Sequence, residues 1–257
     1  MKLIFYGTMG AIPTKENSNV SFAVTEGSSS LLIDASGSPT HSLLRSGINP
    51  LDLDALVLTH THPDHLYAFP ALIHSLWLMK REKPLLIVTN EETAVKARQL
   101  GEIFELLERK DLFPIEWNIL DTGIIESIPG MRIELFPVEH SVVTSGVKCV
   151  TTSASMVYSA DTKPSSHVIR AAKGATVLIH EASGSECHEN ALNAIGHSSA
   201  RQAGETAQKT GVDTLYLCHF DPRHGIGPDT LQQEAQRMFQ GDVMVPDQFR
   251  VYQHGAS

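Results

Sequence analysis

Short apolar runs and longer amphipathic stretches alternate along the chain. Runs at residues 3–6, 22–24 and 31–33 predict early strands, and a short helix over 41–46 is closed by Gly47. Residues 55–58 (Ala-Leu-Val-Leu) form an apolar run bounded by polar residues, the pattern of a strand buried on both faces. From Leu66 to about Glu82, Leu66, Phe69, Ile73 and Leu76 follow helical spacing, with Pro70 expected to kink the first turn. A strand over 85–88 and a long amphipathic helix over 91–109 follow. The second half begins again with strands at 131–138, 147–150, 155–160 and 176–179. It continues with a helix over 199–210 ending at Gly211, a strand at 214–218, a helix near 229–239 and a last strand at 248–252. This is the signature of an α/β protein. It predicts one domain over residues 1–257 with two similar halves, about 1–125 and 126–257, whose sheets pack face to face with helices outside.

Composition narrows the class. The 257 residues are 42% apolar and 19% charged, which excludes a disordered or fibrous chain. No apolar run approaches the ~18 residues of a membrane span. The opening Met1-Lys2-Leu3-Ile4-Phe5-Tyr6-Gly7 is too short an apolar stretch for a signal peptide, so a cytoplasmic protein is expected. Cys149, Cys187 and Cys218 form no even set and no CxxC, which argues against a disulfide framework. With 20 Lys+Arg against 29 Asp+Glu the formal charge is −9, contrary to the basic face of a dedicated nucleic-acid coat. The 13 histidines are left unexplained by these considerations.

Their placement is informative. Thr59-His60-Thr61-His62-Pro63-Asp64-His65 directly follows the run at 55–58 and packs three imidazoles and a carboxylate into six residues. In extended backbone His60 and His62 point the same way. Pro63 then stops the ladder, and Asp64 and His65 turn into the next helix. Two pairs of ligands aimed at adjacent points suit two metal ions better than one. His140, Asp161 and His219 each stand just past a predicted strand, where the sites of open α/β sheets collect. Any one of them alone is as easily a core or surface group. Together they complete two spheres: His60, His62 and His140 on one ion, Asp64, His65 and His219 on the other, and Asp161 bridging. Imidazole and carboxylate donors suit zinc, and also manganese or iron. Two divalent ions, two aspartates and a bridging hydroxide leave the cluster near +1, so a phosphodiester anion is attracted despite the overall charge. Ions ~3.5–4 Å apart activate an attacking water and stabilise the charge developing on phosphoryl oxygens.

Two further segments matter. His180-Glu181-Ala182-Ser183 ends a predicted strand and Gly196-His197-Ser198-Ser199 starts a helix. The plain reading of the second is an N-cap by Ser198 or Ser199. The chemical one is a general acid, His197, held by Glu181. Gly7-Thr8-Met9-Gly10-Ala11-Ile12-Pro13-Thr14 lacks the Gly-Lys-Ser/Thr ending of a phosphate loop and reads as a tight turn lining the site. Cys218 reads as a buried strand residue and His224 as a loop histidine at the rim.

On these residues the chain resembles the metallo-β-lactamase superfamily. His60-Thr61-His62-Pro63-Asp64-His65, with His140, Asp161 and His219, is similar to its dinuclear signature, and the likeness to the ribonuclease Z-like branch runs over most of the chain. Gly7 to Thr14, Leu31-Leu32-Ile33-Asp34, Leu178-Ile179-His180-Glu181-Ala182, Gly196-His197-Ser198-Ser199-Ala200 and Cys218-His219-Phe220-Asp221-Pro222-Arg223 resemble that branch's motifs. The resemblance implies a four-layer αββα sandwich, two metal ions, usually zinc, and a homodimer. It also implies that Asp64 assists the nucleophilic water and that His197 with Glu181 serves the leaving group.

The chain departs from the family in two places, and the first of them shapes the expected substrate. Only 20 residues separate His140 from Asp161, where ribonuclease Z usually carries a Gly/Pro-rich arm that grips tRNA, and Ala68 stands where the family usually has Gly. A chain with no such arm and a net negative charge is expected to hydrolyse small or cyclic phosphodiesters rather than folded RNA. The alternatives are a true ribonuclease Z processing tRNA 3′ ends, a thioester hydrolase, and a non-catalytic metal-binding or sensing module of the same fold. His65 directly after Asp64 counts against a β-lactamase, and His62 in place of a carboxylate counts against a diiron oxidoreductase. Specificity is expected in loops 80–83, 142–146 and 222–228.

Overall fold

A computed structural model of the chain describes residues 1–255. In chain order the first part gives β1 (Lys2–Gly7), β2 (Ser21–Glu26), β3 (Ser29–Ile33), α1 (Pro39–Arg45), β4 (Ala55–Leu58), α2 (Pro63–Leu66), α3 (Phe69–Leu78), β5 (Leu85–Thr89), α4 (Glu91–Ile103) and β6 (Ile115–Ile119). The remainder gives β7 (Gly123–Ile128), β8 (Met131–Pro137), β9 (Ser145–Thr151), β10 (Ser155–Tyr158), α5 (Ser166–Ala172), β11 (Val177–Glu181), α6 (Glu189–Ala194), α7 (Ala200–Thr210), β12 (Thr214–Cys218), α8 (Pro228–Met238), β13 (Asp242–Met244) and β14 (Val251–Gln253).

These strands build two seven-stranded sheets, ordered β14-β1-β2-β3-β4-β5-β6 and β13-β12-β11-β10-β9-β8-β7. The central strands are apolar throughout because both of their faces are covered. Leu31, Ile33, Ala55 and Val57 of the first sheet share one core with Tyr158, Ile179 and Tyr216 of the second. The alternate residues Leu32, Leu56 and Ile87 pack with Leu43 of α1 and Phe69, Leu72 and Ile73 of α3. On the far side Leu178, Leu215 and Leu217 pack with Val168 of α5, Ala203 and Ala207 of α7 and Leu231 of α8. Helix, sheet, sheet, helix: the four-layer αββα sandwich is the fold. Aromatic rings bridge the sheets, Phe22 edge-on to Tyr158 at 5.2 Å and Phe5 against Tyr216 at 5.3 Å between ring centroids.

Several boundaries differ from the expectation. The helix expected from Leu66 to Glu82 is instead α3 alone, which starts at Phe69 after α2 has ended at Leu66 and stops at Leu78, and Pro70 sits in its first turn, where its missing N–H costs nothing. The helix expected over 91–109 ends at Ile103. The last strand lies at 251–253 and joins the first sheet beside β1. Strands β6 and β7 and helices α5 and α6 had no counterpart in the periodicity. Among the described residues no helix is long and apolar enough to cross a membrane.

The topology gives the site its place. β3 runs parallel to β4, and β10, β11 and β12 are mutually parallel. β8 is antiparallel to β9, itself antiparallel to β10, so β8 ends at the same edge as β10. The segments after β4, β8, β10 and β12 carry the seven ligand-type side chains considered next.

Candidate metal centre and active site

Thr59 and His60 follow β4 and are fully buried, His62 is the N-cap residue of α2, and Asp64 and His65 are buried on its single turn. His140 stands three residues past β8, Asp161 three past β10, and His219 directly follows β12. Three non-glycine residues at these strand ends adopt left-handed backbone: Asp34 (φ 57°), Ala160 (φ 51°) and His219 (φ 63°). Each costs roughly 1–2 kcal/mol, a strain that the surrounding fold sustains where it turns a strand end across the site.

Asp161 lies at the middle. Its Oδ2 is 3.6 Å from His60 Nε2, 3.5 Å from His65 Nε2, 3.8 Å from His140 Nε2 and 3.0 Å from His219 Nε2. His62 Nδ1 lies 3.1 Å from His140 Nε2, and Asp64 Oδ2 is 3.5 Å from Nε2 of both His65 and His219. Donor atoms of His60, His62, His140 and Asp161 all fall within 4.8 Å of one another, as do those of Asp64, His65 and His219. The fold therefore brings all seven residues together.

A second layer aims the rings. His60 Nδ1 is 3.0 Å from Thr59 Oγ1, which donates to both oxygens of Asp34 at 3.0 Å. His65 Nδ1 lies 2.8 Å from Asp34 Oδ2. His140 Nδ1 is 2.8 Å from the Gly196 carbonyl, and His219 Nδ1 is 3.1 Å from Ser183 Oγ. With each Nδ1 so engaged, Nε2 is the atom presented to the centre. Gly196 makes this possible: at φ 83° any Cβ would fall 2.9 Å from both Cα and Nδ1 of His140.

The fit to cations follows from what these atoms lack. Nε2 of His60, His65 and His219 and Oδ1 of Asp161 are buried with no hydrogen-bond partner among the described residues. Buried polar atoms are nearly always satisfied, so four orphans converging on one point match a metal site. Electrostatics agrees. Burial and the neighbouring His65 hold His60 well below the ordinary imidazole value. His65 is raised well above it, because Asp161 and Asp34 outweigh its burial. His219 is pushed up to about 10, Asp161 again overcoming burial. The carboxylates draw positive charge into the centre.

Glu181 ends β11, fully buried. Its Oε1 accepts from the Thr162 backbone N–H at 2.6 Å and faces His197 Nδ1 at 3.0 Å. Its Oε2 accepts from Ser183 Oγ at 2.9 Å and the Ser198 N–H at 3.1 Å. Burial pushes this carboxyl up, yet His197 brings it below the usual range. The His197 ring stacks on His219 at 5.2 Å, and its donor atom lies within 4.8 Å of those of Asp161 and His219. Ser199 caps α7 with Gln202 completing a capping box, as the plain reading of the 196–199 segment expects, and the same segment sets His197 against Glu181.

Sequence reasoning passed over the supporting residues. Asp34 was only part of a strand motif, and Thr59, Ser183 and the Gly196 carbonyl act through contacts that only folding creates. The signal for Asp34 was there: a carboxylate straight after an apolar run. His180 stays apart, buried with Nδ1 2.7 Å from the Glu181 carbonyl. A cavity of about 380 Å³ opens beside the centre, with His197 and His219 in its wall. The turn at 7–14 lines it through Gly10, Ala11 and Ile12, and a Cβ on Gly10 would come 2.9 Å from the His219 ring. Of the loops expected to set specificity, 222–228 reaches this cavity through Arg223 and His224, whereas 80–83 and 142–146 supply no residue among the described lining.

The family profile described as Beta-lactamase superfamily domain matches residues 30–220. The curated ribonuclease Z of Haloarcula marismortui is 27% identical, over 96% of this chain and 94% of its own length. The metallo-beta-lactamase fold protein YhfI from Bacillus subtilis superposes with a TM-score of 0.83 at 23% identity, over 98% of each chain. Human tRNase Z, short form, superposes at 0.82 with 18% identity, over 100% of each. The chain belongs to the beta-lactamase superfamily, as a ribonuclease Z-like, metal-dependent hydrolase of the metallo-β-lactamase fold.

Proposed function

We propose that the chain hydrolyses small or cyclic phosphodiesters at a dinuclear centre. The observation that carries this reading is the convergence of seven ligand-type side chains on one point beside a histidine, His197, held by a buried carboxylate. His60, His62 and His140 would hold one ion and Asp64, His65 and His219 the other, with Asp161 available to both. Zinc is the ion favoured by the donor set and the resemblance, with manganese and iron distinguished by metal analysis. When bound, the ions supply Lewis acidity to the phosphoryl oxygens and lower the pKa of the attacking water. Asp64 accepts a proton from that water. Glu181 fixes the His197 tautomer through Nδ1, and His197 Nε2 gives its proton to the leaving oxygen as the P–O bond breaks. Four hydrogen-bonding partners around Glu181 keep it ionised for this purpose.

Two observations favour a small substrate over folded RNA. The chain carries a formal charge of −9. Its alignment with the Haloarcula relative runs over 298 positions against 257 residues here, so that relative has insertions this chain lacks. The relatives' name, ribonuclease Z, favours the second reading, trimming of tRNA 3′ ends. Metal-replete protein is assayed on bis(p-nitrophenyl) phosphate, a panel of cyclic nucleotides and a precursor tRNA. No diester turnover refutes the proposal, and a trailer cut faster than every small diester supports the second reading. The resemblance also supports a homodimer, which light scattering tests.

A further inference from the structure

The cavity beside the centre draws its walls from separate loops. Ile12 comes from the turn after β1, Leu192 from α6 and Ile195 from just past it, and Arg223 and His224 from the turn after β12. At about 380 Å³ it falls within the range of small-ligand sites. Ile12 is 42% and Ile195 55% exposed. A scattered surface isoleucine needs no explanation. These two share one cavity with His197 and His219, so a group leaving phosphorus past His197 lies against them.

Charge at the rim decides what kind of group that is. Arg223 is the one lysine or arginine among the described lining residues. Both oxygens of Asp221 already hold it, with Nε at 3.0 and 2.9 Å and Nη2 at 2.6 Å. A guanidinium forked onto its neighbour's carboxylate has little left to offer a second phosphate. His224 stacks on His188 at 4.2 Å, and burial together with that second ring holds it below the ordinary imidazole value. Away from His197 and His219, the cavity thus presents aliphatic side chains and imidazole faces with no free lysine or arginine among the described lining residues.

We infer that this cavity is a subsite for a flat, uncharged ring of nucleobase or aryl size carried on the leaving oxygen, with Ile12 and Ile195 as its specificity-determining contacts. The identity of the group as the leaving alcohol rests on the phosphodiesterase reading; the preference for an uncharged ring does not. In the reaction, the attacking water forms a new P–O bond while the bond to the alcohol breaks. One water proton passes to Asp64, and the alcohol departs into the cavity with the His197 Nε2 proton.

Calorimetry on the zinc-loaded protein tests it with three probes: adenosine, 4-nitrobenzyl alcohol and inorganic phosphate. The exposed positions allow Ile12→Ser with Ile195→Ser, and Ile195→Ser alone serves if the pair fails to fold. The expected result is at least tenfold weaker binding of the uncharged probes with phosphate binding changed by less than twofold. A wild-type protein that binds neither uncharged probe overturns the inference, as does a variant that weakens phosphate and adenosine equally. Loss of adenosine binding in the variant, in a protein without diester turnover, supports the subsite and refutes only the reading of the reaction.

Discussion

Asp34→Asn probes how the centre is aimed. Asp34 is buried at φ 57°, a left-handed conformation that Asn adopts at little cost, so the exchange conserves volume and backbone. Oδ1 accepts from the Thr59 N–H at 2.9 Å and its hydroxyl at 3.0 Å, while Oδ2 is 2.8 Å from His65 Nδ1. An amide can offer its oxygen to only one side. If the oxygen keeps Thr59, the NH₂ faces His65 Nδ1 and the ring proton must move to Nε2, the atom aimed at Asp161. Losses of this kind weaken metal binding roughly 10–100-fold, which corresponds to ~1.4–2.8 kcal/mol. If the oxygen turns to His65, the Thr59 groups lose an acceptor, at ~1–3 kcal/mol of stability for each buried group left unpaired. Chelator competition measures the first, denaturant unfolding of the metal-free protein the second, and imidazole ¹⁵N spectra read the tautomer. A variant equal to wild type in both zinc affinity and unfolding free energy refutes the role given to Asp34.

Three other outcomes are expected. His197→Ala keeps its metal content while kcat falls by ~10²–10⁴-fold; an unchanged rate, by stopped assay on a model diester, removes the general acid. Gly196→Ala, whose Cβ would lie 2.9 Å from His140, displaces that ring, and plasma emission should count fewer than two ions per chain. Chelation abolishes activity and lowers the melting temperature, and zinc restored at 100 times its Kd returns about 2.7 kcal/mol; a melting curve indifferent to zinc contradicts a site built into the fold.

The central strands were legible because burial on both faces leaves nothing but apolar residues, as in Ala55-Leu56-Val57-Leu58. The proposed ligands were legible for a related reason: they stand within a few residues of the ends of such runs, where polar residues are conspicuous. β7 escaped because Gly123–Ile128 forms an edge with only Ile125 and Ile128 buried, too sparse for a period. Helices α5 and α6 escaped because they bury Val168 with Ala172 and Leu192 alone, respectively. Asp34 meets His65 from 31 residues away, and the Gly196 carbonyl meets His140 from 56. No local pattern records such partnerships. Ile12 and Ile195 were invisible for the opposite reason, since a solvent-facing isoleucine carries no chemical signal until a cavity is found between two of them.

The sheets themselves set the dimensions of the centre. The loop after β4 in the first sheet supplies His60, His62, Asp64 and His65, and strands of the second sheet supply His140, Asp161 and His219. Every separation between those two sets is therefore a reading of how far one sheet is offset from the other. Phe22 against Tyr158 and Phe5 against Tyr216 hold that offset, as spacers hold two plates. Close-packed interiors transmit small displacements rather than absorb them. A methyl group removed from these rings' surroundings, with no polar atom touched, would shift the two ligand sets relative to each other, and the hydrocarbon between the sheets thereby becomes the gauge to which the chemistry is cut.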